Sequence, residues 1–178
     1  MADTIGGLVS RGLASVQFAP IGKFSTATWT TIGDTKAGSV SPGFSAPTIT
    51  EVKSEEHGAI MTNAEEGTQK IELDLLNVKS DVLTSTFGLT LTSGTTEDVV
   101  WVTDTSISIN KMVRFNMSEG IKALVLANAD IYFNPANGFK QSGDDTFNLH
   151  ITIYANKGLG GATAEEGIYG FVYTHVGA

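Results

Sequence analysis

The sequence predicts one domain of mainly antiparallel β-structure, a sandwich or barrel with one short helix. Three observations support this fold class. Glycine is abundant, at 20 of 178 residues, and charged residues make up only 17% of the chain, a composition that favours sheets and turns. Short segments of alternating apolar and polar residues follow one another between turn signals. Only one segment combines helical spacing with recognisable ends.

The first residues differ in character from the rest of the chain. Their apolar residues recur at roughly helical spacing, but Gly6, Gly7 and Gly12 each oppose a helix by about 1 kcal/mol relative to alanine. We therefore interpret residues 1–14 as an N-terminal arm, with a disordered tail as the alternative. Residues 15–178 are predicted to form the single β-domain.

The alternation predicts a succession of strands. The predicted strands are Ser15–Ala19, Thr26–Ile32, Pro47–Glu55, Gln69–Leu76, Leu89–Thr92, Val99–Thr103, Thr105–Ile109, Lys111–Met117, Ile121–Phe133, Thr146–Tyr154 and Ile168–His175. Ile121–Phe133 has apolar residues on both faces, which predicts a central strand or one covered by another subunit.

The strand at Gln69–Leu76 has the clearest separation of faces among the earlier segments. Ile71, Leu73 and Leu75 alternate with Glu72 and Asp74. The apolar set should face the core, and the two carboxylates should face water.

The one predicted helix covers residues 77–87. Asn77 is a plausible N-cap, Asp81 lies early enough to interact favourably with the helix dipole, and Gly88 stands where a helix commonly ends. An isolated helix of this length would be marginal, so its apolar face should pack on the sheet.

A long polar loop is predicted at His57–Thr68. Ile60 and Met61 are its only large apolar residues, and a loop longer than about 12 residues in a compact domain is usually functional. Its candidate contact residues are His57, Gly58, Ile60, Met61, Glu65 and Glu66.

Composition excludes several kinds of function. The chain has no cysteine, so disulfides, thiolate metal sites and cysteine nucleophiles are excluded. The formal net charge of −8 argues against tight binding to nucleic acid, because such binding needs clustered cations. The N-terminus lacks the pattern of a secretory signal, and no window is apolar enough for a membrane span, so we expect a soluble protein made in a cytoplasm.

No motif indicates catalysis, a metal or a cofactor. His57, His150 and His175 have no ligand partner at helical spacing, and the glycines at 158–161 lack the Lys-Ser/Thr pair of a phosphate-binding loop. Asp144 and Asp145 lack the spaced ligands of a calcium loop. We therefore expect a structural or binding protein rather than an enzyme.

Several features follow one another in a characteristic order in the first half of the chain. They are a glycine-rich arm, a turn at Trp29-x-x-Ile32-Gly33-Asp34, and a strand ending in acidic residues. A long loop, a strand carrying Glu72 and Asp74, and a short helix closing on Phe87-Gly88 come next. In this order the chain resembles the tail tube (major tail) proteins of long-tailed bacteriophages, and the resemblance covers residues 16–91.

The resemblance implies a β-sandwich that polymerises as stacked rings of sixfold or pseudo-sixfold symmetry. Phage DNA would pass through the hollow tube as non-specific cargo, and the chain would contact the tape-measure protein and the tail terminator or baseplate proteins. The location implied is the virion tail, assembled in the host cytoplasm, with no membrane binding by this chain. Glu72 and Asp74 become candidates for the lumen, and the loop at His57–Thr68 a candidate contact between rings, mobile in the free subunit.

A carbohydrate-binding or capsid-decorating β-sandwich is the alternative. Such a module would expose aromatic residues as a platform, and five are available: Trp29, Tyr132, Tyr154, Tyr169 and Tyr173. Packing of these residues in cores and subunit interfaces is the competing interpretation.

Overall fold

A computed structural model of the chain describes residues 11–44, 48–54, 58–65, 69–76, 78–101, 109–119, 122–136 and 148–173. Within these ranges the chain is mainly β-structure with one α-helix, as the sequence predicts. No helix among these residues has the length and apolar character needed to cross a membrane.

Thirteen strands and one α-helix make up the described structure. In chain order they are β1 (Arg11–Ala19), β2 (Thr30–Thr31), β3 (Asp34–Thr35), β4 (Ser41–Phe44), β5 (Thr48–Ser54), β6 (Gly58–Glu65), β7 (Gln69–Leu76), α1 (Ser80–Phe87), β8 (Thr90–Ser93), β9 (Asp98–Trp101), β10 (Ile109–Glu119), β11 (Ala123–Ala136), β12 (Asn148–Asn156) and β13 (Tyr169–Val172). A single 3₁₀ turn at Phe24–Thr26 lies between β1 and β2.

Nine of the strands form one antiparallel sheet, and the sheet closes on itself. Its main order is β2-β1-β10-β11-β12-β7-β3, with β13 beside β11 and β4 beside β7. The two ends of this order, Thr31 and Asp34, are separated in the chain only by Ile32 and Gly33. One continuous segment therefore pairs first with β1 and then with β7, which joins the two ends of the sheet.

Gly33 is required at this junction. A Cβ atom there would lie 2.7 Å from the carbonyl oxygen of Leu76, closer than non-bonded atoms approach. Ile32, the residue before it, is 1% exposed and belongs to the core. The junction thus needs a large apolar residue followed by one without a side chain.

The core lies inside the closed sheet, and the helix completes it. Phe87, the last residue of α1, is buried and packs edge-on against Phe18 of β1, with ring centroids 5.9 Å apart. On its other side Phe87 contacts Phe133 of β11, at 4.8 Å between centroids. Val82 and Leu83 of the helix also pack against the core, so the helix covers this part of the core with several apolar side chains.

The helix is shorter at its start than the sequence predicts. It begins at Ser80 rather than at Asn77, and its N-cap is Lys79, which makes no side-chain capping bond. Asp81 accepts a hydrogen bond from the backbone N–H of Val82 at 2.9 Å instead. The predicted C-terminus is confirmed: Gly88 adopts a left-handed conformation with φ of 67°.

A β-bulge explains why the sequence of β11 has apolar residues on both faces of the strand. Lys111 pairs with Ala129 but Val113 pairs with Leu126, so β11 carries one extra residue there. The alternation of inward and outward side chains shifts by one residue at this point. Both Leu126 and Ala129 therefore belong to the core, although they are three residues apart.

The outer face of β11 before the bulge is covered by a second apolar cluster. Ala19, Met112 and Val125 are buried in it, with Phe24, Ala27, Trp29 and Val172 packed against them. The prediction of a central strand in this region is confirmed, because β10, β12 and β13 all pair with β11.

The loop after β12 supports this second cluster. The backbone N–H of Phe24 donates to the carboxylate of Glu165 at 2.8 Å, and the N–H of Glu165 donates to the carbonyl of Gly22 at 3.3 Å. Ala164, next to Glu165 in the chain, is buried. The glycines at 158–161 therefore belong to a compact structural turn.

The prediction of a loop at His57–Thr68 is wrong for Gly58–Glu65, which forms strand β6 and pairs with β5. Phe44 pairs with Gln69 in the ladder of β4 and β7, and Thr48 pairs with Glu65 in the ladder of β5 and β6, so the two ladders share one register. We call β5 and β6 together the β-arm.

The predicted N-terminal arm is also shorter than expected. Arg11 already pairs with Glu119, and Leu13 with Met117, so the last four residues of the predicted 1–14 segment belong to β1. Residues 1–10 lie outside the described structure.

We expect Phe87→Ala to destabilise the domain by about 3–5 kcal/mol, because the ring fills the space between Phe18 and Phe133. Urea unfolding of the dilute subunit, followed by circular dichroism, measures this change. Ser85→Ala, at an exposed position on the same helix, should change the free energy of unfolding by less than about 0.5 kcal/mol. Equal effects of the two substitutions would contradict the role given to Phe87.

Candidate functional site

The outer surface of four neighbouring strands carries a continuous set of polar and aromatic side chains. We call it the polar face and define it by these residues of β7, β12, β11 and β10: Lys70, Glu72, Asp74, Asn110, Asn128, Asp130, Tyr132, His150, Thr152, Tyr154 and Asn156. The alternate residues of β7 and β12, including Ile71, Leu73, Ile151 and Ile153, are buried in the core. One face of this sheet therefore covers the core, and the other face is available for contact with other molecules.

Side chains on the polar face are connected across the strands. Asp74 and His150, directly opposite each other, approach to 2.8 Å between Oδ1 and Nδ1. Asp130 accepts a hydrogen bond from the amide of Asn156 at 2.7 Å and another from the amide of Asn110. The carboxylates are thus held in fixed positions by neutral amides and an imidazole.

The one lysine of the polar face is bound to a carboxylate. Lys70 Nζ donates to Glu72 Oε1 at 3.0 Å. This hydrogen bond, together with the negative charge of Glu72, raises the pKa of Lys70 above its ordinary value of 10.5. The ammonium is therefore paired with a carboxylate of the same face.

Sequence reasoning placed Glu72 and Asp74 on the side of β7 opposite the core, and the structure has them there. Among their neighbours on this face, Tyr132 and Tyr154 were named as candidate platform residues, whereas Asp130 and His150 were not identified as functional. The pairings of Asp74 with His150 and of Asp130 with Asn156 depend on strand order, which no local pattern specifies.

Four of the six predicted contact residues lie in strand β6: Gly58, Ile60, Met61 and Glu65. His57 and Glu66 lie outside the described residues. The β-arm pairs with no other described strand, since β5 and β6 form a separate two-stranded sheet.

The five candidate aromatic residues do not form one platform. Trp29 packs beside Phe24, with Arg114 5.7 Å from each ring. Tyr132 and Tyr154 meet edge-on at 5.7 Å on the polar face, whereas Tyr169 and Tyr173 lie at β13 and just beyond it.

The described residues contain no group of three or more histidine, aspartate and glutamate side chains placed to hold a metal ion. Comparison of the sequence with protein-family models finds no match, and no curated protein is significantly similar to it. The functional argument therefore depends on the geometry of the polar face and the β-arm, together with the resemblance of residues 16–91.

We expect Glu72→Gln to lower the pKa of Lys70 toward 10.5, because it removes the charge that stabilises the ammonium. An NMR titration of the lysine side chains measures the change. Because the folded pKa is raised, the stabilising contact is fully present at neutral pH and is lost only as the pH rises through the pKa of Lys70.

Asp74→Asn is the matched control, because Asp74 contacts His150, whereas the Lys70 amine contacts Glu72. It should leave the titration of Lys70 nearly unchanged. A Lys70 titration that is the same in wild type and in Glu72→Gln would show that the contact is absent in solution.

Proposed function

We propose that the chain is a structural protein of a virion tail, which polymerises as stacked hexameric or pseudo-hexameric rings into the hollow tube through which phage DNA passes. The observation that carries this proposal is the β-arm, a two-stranded sheet without a partner strand in the described chain. A two-stranded hairpin is marginally stable alone in water, so its function is best explained by contact with another copy.

The polar face provides the second line of support. Glu72, Asp74 and Asp130 are carboxylates, and the single lysine of this face is engaged by Glu72. Tight binding to DNA needs free cations that displace counterions from phosphates. A surface of this kind would let DNA move along it without being held.

The net charge is consistent with this role. The whole chain carries a formal −8, so rings of six copies would surround the lumen with negative charge. The tape-measure protein would occupy the lumen before DNA, and the terminator or baseplate proteins would contact the ends of the tube.

A carbohydrate-binding or capsid-decorating module remains the second candidate, favoured by one observation. The Tyr132–Tyr154 pair stands beside Asp130, and aromatic rings next to a carboxylate can bind a sugar. Electron microscopy of the purified protein separates the two functions. Rings or tubes support the tail tube, whereas monomers at every concentration, retained on a glycan array, support the alternative.

We expect that replacing residues 45–68 with Asn-Gly will prevent tube formation while preserving the domain. Phe44 pairs directly with Gln69, so a two-residue turn can connect β4 to β7 in the existing register. Negative-stain microscopy should then show monomers or single rings.

Circular dichroism and thermal unfolding provide the folding control for this deletion, and both should indicate a retained β-domain. Normal tubes built from the shortened chain would rule out the β-arm as the contact between rings.

We expect Glu72→Cys to react with a large polyethylene-glycol maleimide in free subunits but not in assembled tubes, because a lumen excludes the polymer. A small maleimide should reach the thiol in both states. The absence of natural cysteines makes the labelling specific. Equal rates with the large reagent before and after assembly would place Glu72 on the outside of the tube.

A further inference from the structure

An apolar groove opens where β12 ends and β13 replaces it as the neighbour of β11. The last pair with β12 joins Asn128 to Asn156, and the first pair with β13 joins Leu126 to Tyr169. The groove has a volume of about 420 Å³. Its apolar lining consists of Ile71, Leu124, Leu126, Ala155, Tyr169 and Phe171.

The groove continues the main core, but it is open to solvent. Ile71 and Leu126 belong to that core, but Tyr169 and Phe171, which meet edge-on at 5.8 Å, are each 48% exposed. Half-exposed aromatic rings that lead directly to core residues are typical of an interaction site.

One polar atom defines what the groove can accept. Gln69 lines the groove, and its Oε1 is buried without a hydrogen-bond partner among the described residues. A buried acceptor without a donor is unfavourable, so the groove best fits a group with an apolar body and one N–H or O–H.

Another surface of the same chain exposes a side chain with an apolar body and one donor. Strands β8 and β9 form a separate hairpin, and Trp101 at its end is 55% exposed. Tryptophan has a large apolar ring and one donor, the indole N–H. The other tryptophan, Trp29, already packs in the second apolar cluster.

The two surfaces are also electrostatically compatible. Among the described residues that line the groove, no side chain is charged at neutral pH. The same is true of Thr90, Thr92 and Val99, which share the face of the hairpin with Trp101. Copies that each carry −8 repel one another, so a contact between them is most favourable where both surfaces lack carboxylates.

We infer that Trp101 of one copy inserts into the groove of the next copy and donates its indole N–H to Gln69 Oε1. This inference rests on the proposed assembly and gives it a residue-level contact. Because hairpin and groove are different surfaces, the contact is heterologous, and its repetition produces a closed ring or a filament rather than an isolated dimer.

Photo-crosslinking tests the contact directly. With p-benzoylphenylalanine in place of Trp101, irradiation of a mixture of ¹⁵N-labelled and unlabelled subunits should join residue 101 of one isotope to groove peptides of the other. Crosslinks confined to one chain, or directed to other surfaces, would overturn the inference.

Substitutions test the chemistry of the contact through the critical concentration for assembly, measured by sedimentation. We expect Trp101→Phe, which keeps an aromatic ring but loses the donor, to raise it about tenfold, and Trp101→Ala about a hundredfold. In a Gln69→Met background, which removes the acceptor, Trp101→Phe should have little further effect on the critical concentration. Leu91→Ala, on the opposite face of the hairpin, should change the critical concentration less than about twofold.

The outcomes separate this inference from the proposed function. Tubes that form normally with Trp101→Ala, at an unchanged critical concentration, would overturn the groove contact and leave the tail tube proposal intact. A wild-type protein that never assembles would overturn both.

Discussion

The fold depends on the segment from Thr31 to Asp34, where the chain stops pairing with β1 and begins to pair with β7. Ile32 fills the interior at this junction, and Gly33 passes so close to the Leu76 carbonyl that no side chain fits. Because the sheet closes here, its strands surround most of the core, and Phe87 and Leu89 pack into it from the end of the helix. The positions of the polar face and the groove follow from this closure, since both lie on strands of the closed sheet, whereas the β-arm is a separate sheet between β4 and β7 in the chain.

Much of the fold was predictable because it is encoded locally. The alternation of Ile71, Leu73 and Leu75 with two carboxylates places β7 and its two faces, and β7 runs over the predicted Gln69–Leu76. Gly88 marks the end of the helix because a left-handed residue is needed there. The polar side of β7 was identified in the same way, so this part of the candidate site could be predicted from one strand alone.

The rest could not be predicted because it depends on pairings between distant segments. The bulge that lets both Leu126 and Ala129 reach the core is visible only against β10. Strand β6 of the β-arm was interpreted as a loop because alternation arises when one face of a strand is buried in its own domain, and the arm forms a sheet apart from the main one. Strand β5 lies within the predicted strand Pro47–Glu55. The contacts of Asp130 and His150 likewise required the strand order.

The groups that have a partner within the chain, and those that lack one, indicate which surfaces contact other molecules. On the polar face, Asp74, Asp130 and Lys70 have partners within the chain, whereas Asn128 Oδ1 is buried without a hydrogen-bond partner among the described residues. The β-arm has no partner strand among the described residues, and the groove combines exposed aromatic rings with an unpaired acceptor at Gln69. We propose that another copy of the chain completes both the β-arm and the groove, and the position of these two features on separate surfaces supports the proposed assembly.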